Sequence, residues 1–324
     1  MASDHDWMDA AAAIAARGRP LSRPNPAVGA VIIADGRVIG RGWTQPGGRP
    51  HAEAQAIRQA GEAARGAAAY VTLEPCAHDS ARGPACAALL REAGVARVVA
   101  GCLDPDPRTA GAGLALLRAA GIAADLLTSP AATRSLEGYL MRARAGRPHV
   151  TLKLGTSLDG RIALGDGSSQ WITGPEARAH AHAMRARSDA ILAGGGTLRA
   201  DAPRLNVRLP GLEARSPERW LLTRGTAPEG WRAVGDIGAP GAFGDAQYLF
   251  VEGGASAAAT FLAADMVDRL LFYRAPIIIG RGLSAVGDIG LGSLAEAHGR
   301  WQRTDQRALG SDMLEVYERV REGS

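Results

Sequence analysis

The stretch Leu73-Glu74-Pro75-Cys76-Ala77-His78-Asp79-Ser80-Ala81-Arg82-Gly83-Pro84-Ala85-Cys86, read with His51-Ala52-Glu53 upstream, decides how this chain folds. His51 opens a segment of helical spacing over 51–60 that stops at Gly61. Cys76 follows a short apolar strand over 69–73, and Cys86 opens a second helical segment, 86–93, closed by Gly94. One imidazole and two thiolates at such positions form a charge-neutral ligand set for one Zn²⁺, with the fourth position left to water. That is the pattern of a catalytic rather than a structural zinc site. Helix N-termini further favour the thiolates.

Glu53 lies two residues beyond His51, so it reaches the same cavity without having to ligate. A carboxylate there takes a proton from water and returns it to a ring nitrogen and a departing amine. The order His-x-Glu, Pro-Cys, Cys is the signature of zinc nucleobase deaminases. A lone His-Ala-Glu or Pro-Cys is common in packed turns; all of them in order, about 25 residues apart at helix starts, are not. As a fourth protein ligand His78 would close the water position, so it is read as a polar group facing substrate. Cys102, at the end of an apolar strand, is read as a core thiol.

Working outward, the first half alternates helix and strand signals: helix 6–17, a hairpin of 27–33 and 37–40 turning at Asp35-Gly36, strand 95–102 and helix 113–120. This is the pattern of a layered α/β domain. A helical stretch over 131–144 runs into Ala145-Gly146-Arg147-Pro148, which marks a domain boundary and divides the chain into 1–146 and 147–324. The second half restarts with a strand over 150–155. A helix follows over 175–187, with Thr173 as N-cap and Pro175 in its first turn. Strands are expected at 189–193, 220–223, 248–251, 269–273 and 276–279, and a helix at 255–264. The span 209–246, rich in glycine and proline, shows only the strand at 220–223, and the last forty residues carry little signal. No Gly-x-Gly-x-x-Gly follows a strand, which argues against a Rossmann site. Gly194-Gly195-Gly196-Thr197 and Glu252-Gly253-Gly254 each follow a strand, where backbone N–H groups can approach an anion; a plain tight turn is the alternative for either.

Composition bounds the function. A chain of 324 residues holds two ordinary domains, and 46% apolar with 22% charged residues describes a globular protein, not a disordered one. The net charge of +4 is carried by scattered arginines without like-charge runs, which suits anionic small molecules and argues against nucleic acid. The polar, acidic N-terminus is unlike a signal peptide. No apolar run reaches the roughly 18 residues of a membrane span. Three cysteines cannot pair completely, and two sit where a metal wants them, so a reducing, cytoplasmic setting is expected.

Asn25-Pro26-Ala27-Val28-Gly29, His51-Ala52-Glu53, Leu73-Glu74-Pro75-Cys76-Ala77-His78 and Asp104-Pro105-Asp106-Pro107 stand in the order found in bifunctional riboflavin-biosynthesis deaminase–reductases, which the chain resembles. The resemblance continues through Leu152-Lys153-Leu154-Gly155-Thr156-Ser157-Leu158-Asp159-Gly160-Arg161, Ser169-Gln170-Trp171-Ile172-Thr173, Asp201-Ala202-Pro203-Arg204-Leu205-Asn206-Val207-Arg208 and Val251-Glu252-Gly253-Gly254, covering about Met8 to Gly282. It implies an α/β protein with a cytidine-deaminase-like three-layer domain followed by a dihydrofolate-reductase-like α/β domain. The implied reactions are hydrolysis of the 2-amino group of 2,5-diamino-6-(5-phosphoribosylamino)pyrimidin-4-one and NADPH reduction of the product's opened ribose at C1′.

By position, the resemblance implies Zn²⁺ on His51, Cys76 and Cys86, with Glu53 as proton shuttle and Asn25 and His78 on the substrate. In the second half it implies cofactor contacts at Gly155, Trp171, Thr197, Asp201, Gly253 and Gly254, and substrate contacts at Ser169, Arg185, Leu205, Arg208 and Glu252. Arg185 and Arg208 can grip a phosphate bidentately, and Lys153 is a candidate to protonate the opened sugar imine. The expected partner is a free pyrimidine ribotide, with no nucleic acid or membrane, and the expected assembly is a homo-oligomer, dimer or tetramer.

The chain departs from the family pattern in three places. Nine residues instead of eight separate Cys76 from Cys86; nucleic-acid and nucleoside deaminases of the superfamily usually have two there. Asn206 replaces a usual threonine. The span 209–251 is short, with Leu221-Leu222-Thr223-Arg224 in place of a more usual Val-Leu-Asp. Two other readings stand beside the main one: a deaminase with a degenerate second half, and a nucleic-acid-editing deaminase.

Overall fold

A capping box starts the first helix. The Ser3 hydroxyl accepts from the Asp6 N–H and the Asp6 carboxylate accepts from the Ser3 N–H, so α1 (Asp4–Ala15) begins two residues before its expected start. A hairpin joins β1 (Gly29–Ala34) to β2 (Arg37–Trp43). Then come α2 (Ala52–Ala60), β3 (Ala68–Val71), α3 (Cys86–Glu92), β4 (Arg97–Ala100), α4 (Ala112–Ala119), β5 (Ala123–Leu126), α5 (Pro130–Ser135) and α6 (Glu137–Ala145). This computed structural model describes residues 2–321, and the chain divides into two compact units, 1–147 and 148–324.

In the first unit the sheet order is β2-β1-β3-β4-β5. β1 is antiparallel to both neighbours, and β3, β4 and β5 run parallel. Ala56, Leu90, Leu117 and Leu140 pack α2, α3, α4 and α6 on one face, and Met8 and Ala132 pack α1 and α5 on the other. Three layers result. The helix expected over 131–144 is two helices: Leu136, buried in the core, leaves helical geometry at φ −108°, ψ 5°. β5 was not expected, because only Ala124 of its four residues is buried and the apolar alternation is too short to register.

Two close backbone approaches set the site. A Cβ on Gly42 would lie 2.2 Å from the Ala52 carbonyl oxygen, so only glycine lets the start of α2 press onto β2. A Cβ on Gly113 would lie 1.9 Å from the Pro75 carbonyl oxygen, which pins the residue before Cys76 against α4. From the same side Glu74, buried, accepts hydrogen bonds from the backbone N–H groups of Gly111 (2.8 Å) and Leu114 (3.2 Å) and caps α4 across the sheet.

The second unit contains β6 (His149–Thr156), β7 (Arg161–Leu164), α7 (Pro175–Arg185), β8 (Ala190–Gly194), α8 (Gly195–Asp201), β9 (Glu218–Leu222), β10 (Arg232–Val234), β11 (Tyr248–Val251), α9 (Ala255–Ala263), β12 (Arg269–Arg274), β13 (Gly282–Ser284), β14 (Trp301–Leu309) and β15 (Asp312–Arg319). Its main sheet runs β10-β9-β8-β11-β6-β12-β15-β14, parallel from β10 to β12 and antiparallel beyond. β11 is buried on both faces, as a central parallel strand must be.

Three expectations are corrected here. Gly174, extended, is the N-cap of α7, in place of Thr173. Residues 276–279 form no strand: the Asp159 carboxylate takes the N–H groups of Ile279 and Gly280, and the Leu158 N–H takes the Ile277 carbonyl, leaving Ile278 76% exposed. The C-terminal stretch forms the β14–β15 hairpin, whose outer strand is polar on most positions and so gave no apolar signal.

The contrast between two glycines tests this packing. Gly113→Ala should cost on the order of 3 kcal/mol of stability, because backbone blocks the new methyl. Gly111→Ala, with φ +88° and open space around it, should cost roughly 1 kcal/mol. Urea unfolding of the two variants measures both, and equal losses would show that the Pro75 contact is not tight.

Candidate functional site

α2 places His51 at its N-cap and Glu53 in its first turn, while Cys86 is the first residue of α3. His51 Nδ1 lies 3.2 Å from Cys86 Sγ and 3.8 Å from Cys76 Sγ. All three donor atoms fall within 4.8 Å of one another. Tetrahedral zinc with ordinary Zn–S and Zn–N bonds sets sulfur and nitrogen about 3.6 Å apart. The two observed separations bracket that value, so the donor set fits the metal. His51 Nε2 faces Asn25 Nδ2 at 3.4 Å, and Asn25 also donates to the Gly48 carbonyl at 3.3 Å, which leaves Nδ1 turned toward the sulfurs.

The electrostatics suit the chemistry. Cys76 is pulled down to about 4 by hydrogen bonding from the Cys86 thiol, and then by His51 and the Cys86 backbone N–H, against burial. Cys86 is pushed up in turn, by sharing its proton with Cys76 and by burial. Burial also raises the carboxyl of Glu53, against the opposing pull of His51, a backbone N–H and the Cys86 thiol. A carboxyl raised in this way is suited to carrying a proton.

His78 is half-buried, stands outside the three-ligand cluster, and has a buried Nδ1 with no hydrogen-bond partner. The nine-residue loop absorbs its extra residue in a tight Ser80–Gly83 turn. It is held by a reciprocal clasp in which Arg82 donates to the Gly47 carbonyl (2.6 Å) and Arg49 to the Pro84 carbonyl (3.2 Å). Sequence reasoning missed Glu74 as the group that fixes this region; the Glu-Pro-Cys order is visible, but its backbone partners 37 and 40 residues away are not.

In the second unit a cavity of about 1000 Å³ opens at the carboxyl ends of the parallel strands, where open α/β sheets bind ligands. Lys153, Gly155, Ser169, Trp171, Arg185, Thr197, Leu205, Arg208, Glu252, Gly253 and Gly254 all line it. Asp201 ends α8, and its side chain lies outside the described residues. Arg185 and Glu252, expected as separate substrate contacts, form one bidentate pair at 2.5 and 2.9 Å. Burial works to raise the Glu252 carboxyl, but Arg185, and then Lys153, hold it below the usual range. Lys153 Nζ lies 3.9 Å from Glu252 and 6.0 Å from the centre of the Tyr273 ring.

Gly254 is the N-cap of α9, and its N–H donates to Thr197 Oγ1 at 3.0 Å, which joins the two glycine turns into one cradle. Trp171 is exposed, with the Arg178 guanidinium 4.8 Å over its ring. The cradle and the cavity size fit an extended anionic dinucleotide. Among the lining residues that the sequence motifs do not mark are His182 in α7 and Tyr273 in β12.

Two predictions follow from this geometry. The purified protein should hold about one Zn²⁺ per chain and Cys86→Ala less than about a tenth of that, by atomic absorption after dialysis. Full occupancy in the variant would remove Cys86 from the ligand set. The second concerns His182, held down to about 4 by burial and then by Arg185 and Arg208, from an ordinary 6.5. Between those values the unfolded chain binds a proton that the folded unit refuses, so stability should fall as pH drops from 6.5 to about 4. Urea midpoints at stepped pH should show that fall weakened in His182→Asn, and an unchanged slope would assign it to other groups.

Comparison with known proteins follows the same division. Residues 1–102 match the model of the cytidine and deoxycytidylate deaminase zinc-binding region, and residues 148–234 and 244–314 match that of the RibD C-terminal domain. The riboflavin biosynthesis protein RibD of Haemophilus influenzae is 37% identical, with 96% of each chain covered. That of Escherichia coli is 49% identical over 214 residues, which span 66% of this chain and 58% of that protein. The crystal structure of a diaminohydroxyphosphoribosylaminopyrimidine deaminase/5-amino-6-(5-phosphoribosylamino)uracil reductase from Thermotoga maritima is 29% identical. It superposes with a TM-score of 0.87 over 98% of this chain and 99% of its own. The first unit therefore has the cytidine-deaminase-like fold and the second the dihydrofolate-reductase-like fold. With its His–Cys–Cys metal site and its reductase cavity, the chain belongs to the RibD family of riboflavin biosynthesis proteins, which join a zinc-binding deaminase to a reductase in one polypeptide.

Proposed function

We propose that residues 1–146 remove the 2-amino group of 2,5-diamino-6-(5-phosphoribosylamino)pyrimidin-4-one and that residues 147–324 then reduce the ribosyl group of the product to ribityl with NADPH. The observation that carries the first step is the convergence of His51, Cys76 and Cys86 beside the buried Glu53. His51, Cys76 and Cys86 hold the metal, and Zn²⁺ there supplies Lewis-acid activation of water. Glu53 takes one proton from the attacking water and delivers it to the ring nitrogen. A second transfer to the exocyclic nitrogen lets ammonia leave, so the C–N bond broken is balanced by the C–O bond formed. Asn25 and His78 orient the pyrimidine; the buried, unpartnered Nδ1 of His78 supports its share of that role.

In the second unit Gly155, Trp171, Thr197, Asp201, Gly253 and Gly254 hold NADPH, which supplies hydride to C1′ of the opened ribose. Lys153 gives the balancing proton to the imine nitrogen. Glu252, shared between Lys153 and Arg185, fixes the ammonium in place. Arg208, with Ser169 and Leu205 beside it, receives the phosphate end of the substrate, and Arg185 supports it from the Glu252 pair. The setting proposed is the cytoplasm, in keeping with three free cysteines and with no described helix long and apolar enough to cross a membrane. A homo-oligomer, dimer or tetramer, completes the proposal; β14, at an edge of its sheet, offers a strand that a second copy can pair with.

A two-step assay tests the function. Zinc-loaded protein given the diaminopyrimidine ribotide should release ammonia without NADPH, and should oxidise NADPH only afterwards. Ammonia with no NADPH oxidation would sink the reductase assignment. Glu53→Gln should abolish ammonia release, by at least about a hundredfold, yet still reduce the deaminated ribotide. Loss of both activities in a folded variant would refute independent sites.

A further inference from the structure

His182 belongs to the last turn of α7, is 7% exposed, and lines the reductase cavity. Its ring meets a single residue twice. The Arg208 backbone N–H donates to Nδ1 at 3.2 Å, and the Arg208 guanidinium Nε and Nη2 both lie 3.3 Å from Nε2. The Asn206 carbonyl also faces the ring. A neutral imidazole carries one N–H and one lone pair, so it accepts from Arg208 at one nitrogen only: with the lone pair on Nε2 it takes the guanidinium, and its Nδ1–H is left for the 206–208 backbone, where the Asn206 carbonyl faces the ring. One helical turn along, Arg185 Nη1 donates to that same Asn206 carbonyl at 3.0 Å.

The segment being gripped is strained. Ala202 and Leu205 both occupy the left-handed region, at φ +40° and +52°, and Leu205 is buried. Non-glycine residues persist there only where surrounding contacts over-determine the backbone, and such strain gathers at functional sites. The contacts that do so here are His182 on Arg208, Arg185 on Asn206, and the Ser216 hydroxyl accepting from the Val207 N–H at 3.0 Å. Of these, only His182 touches both the backbone and the side chain of a residue assigned to the substrate.

We propose that His182 is a positioning residue of the reductase site: it locks the strained 202–208 segment and aims the Arg208 guanidinium into the cavity to receive the substrate's phosphate. The inference rests on the proposed role of Arg208 as a substrate contact. His182 takes no part in hydride or proton transfer. Its effect falls on substrate affinity and leaves the cofactor and the chemical step alone.

Steady-state kinetics of the zinc-loaded full chain with the deaminated ribotide and NADPH test this. His182→Leu should raise KM for the ribotide about tenfold, as losing a hydrogen bond to a charged group does. KM for NADPH, kcat and ammonia release should stay within twofold. Arg208→Ala should raise the same KM at least as far, and adding His182→Leu to it should bring little further change, because the two residues act as one unit. His182→Gln, whose amide oxygen can reach the Nε2 position, should restore most of the affinity. His182→Asn, which reaches only the Nδ1 position, should not, and this pair decides the matter should the leucine variant fail to fold. A normal ribotide KM in His182→Leu with a raised one in Arg208→Ala overturns the role of His182 alone. A normal KM in Arg208→Ala overturns the assignment of Arg208 and this inference with it. Equal KM values in the Gln and Asn variants, or a parallel loss of NADPH affinity, overturn the positioning role.

Discussion

A carboxylate taken out of water costs several kcal/mol unless something replaces the lost hydration, and both units are organised around how they meet that cost. Glu74 meets it with backbone N–H groups at the start of α4, which ties the strand that ends at Cys76 to a helix built from residues far along the chain. Glu252 meets it with a guanidinium, and its second oxygen stays within reach of Lys153. Glu53 has only the pull of His51, its own backbone N–H and the Cys86 thiol, and burial outweighs them and drives its carboxyl upward. The two compensated carboxylates are structural anchors. Glu53, whose carboxyl burial raises, is the one suited to change protonation state, and it is the one beside the metal ligands.

Strand direction then places the anchors. In both sheets the parallel strands end on the side where the functional groups gather: Cys76 just beyond β3, and Gly155, Gly194, Leu222 and Glu252 at or just beyond the ends of β6, β8, β9 and β11. Chains leaving parallel strands at one edge must turn there, and turns are where backbone N–H groups and short polar segments are free to face a ligand. Close approaches do the rest. Gly42 and Gly113 allow a helix start and a strand end to come nearer than any side chain would permit, so the His51 and Cys76 donors converge without distortion.

What could be read from the amino-acid order was whatever is local. His51, Glu53 and Cys86 are set by helix starts, and a helix start is written within a few residues. The apolar alternation of β6 and the unbroken apolar runs of β8 and β11 are likewise local. The failures are non-local. Residues 276–279 carry the β-branched composition of a strand, but a strand needs a partner, and the carboxylate of Asp159 claims the N–H groups of Ile279 and Gly280 first. β14 has a partner and pairs along its length, yet its exposed edge needs no apolar residues, so composition could not announce it. His182 is the sharpest case. Within α7 it is one of two histidines, with His180, and nothing near it in sequence shows that residues 206–208 will fold back onto it.

The pairing of Arg185 with Glu252 also alters the electrostatics of the reductase cavity. Taken singly from the sequence, Arg185 and Arg208 are two equivalent phosphate ligands. In the fold Arg185 is largely neutralised by the acid it grips, whereas Arg208 rests against an imidazole that bears no charge near neutral pH. A guanidinium held by a neutral acceptor keeps its full charge for an incoming anion, and one held by a carboxylate does not. The cavity lining carries Lys153, Arg178, Arg185, Arg204 and Arg208 against Glu252 and Asp288. It therefore faces its ligands with an excess of positive charge, as a site for a phosphorylated sugar and a phosphorylated dinucleotide requires. Within that excess Arg208 is the cation whose geometry is controlled and whose charge is left unspent. Under the proposed assignment of Arg208 to the substrate's phosphate, discrimination for that end is concentrated at Arg208, while the Arg185–Glu252 pair holds Lys153 and the 202–208 segment in place.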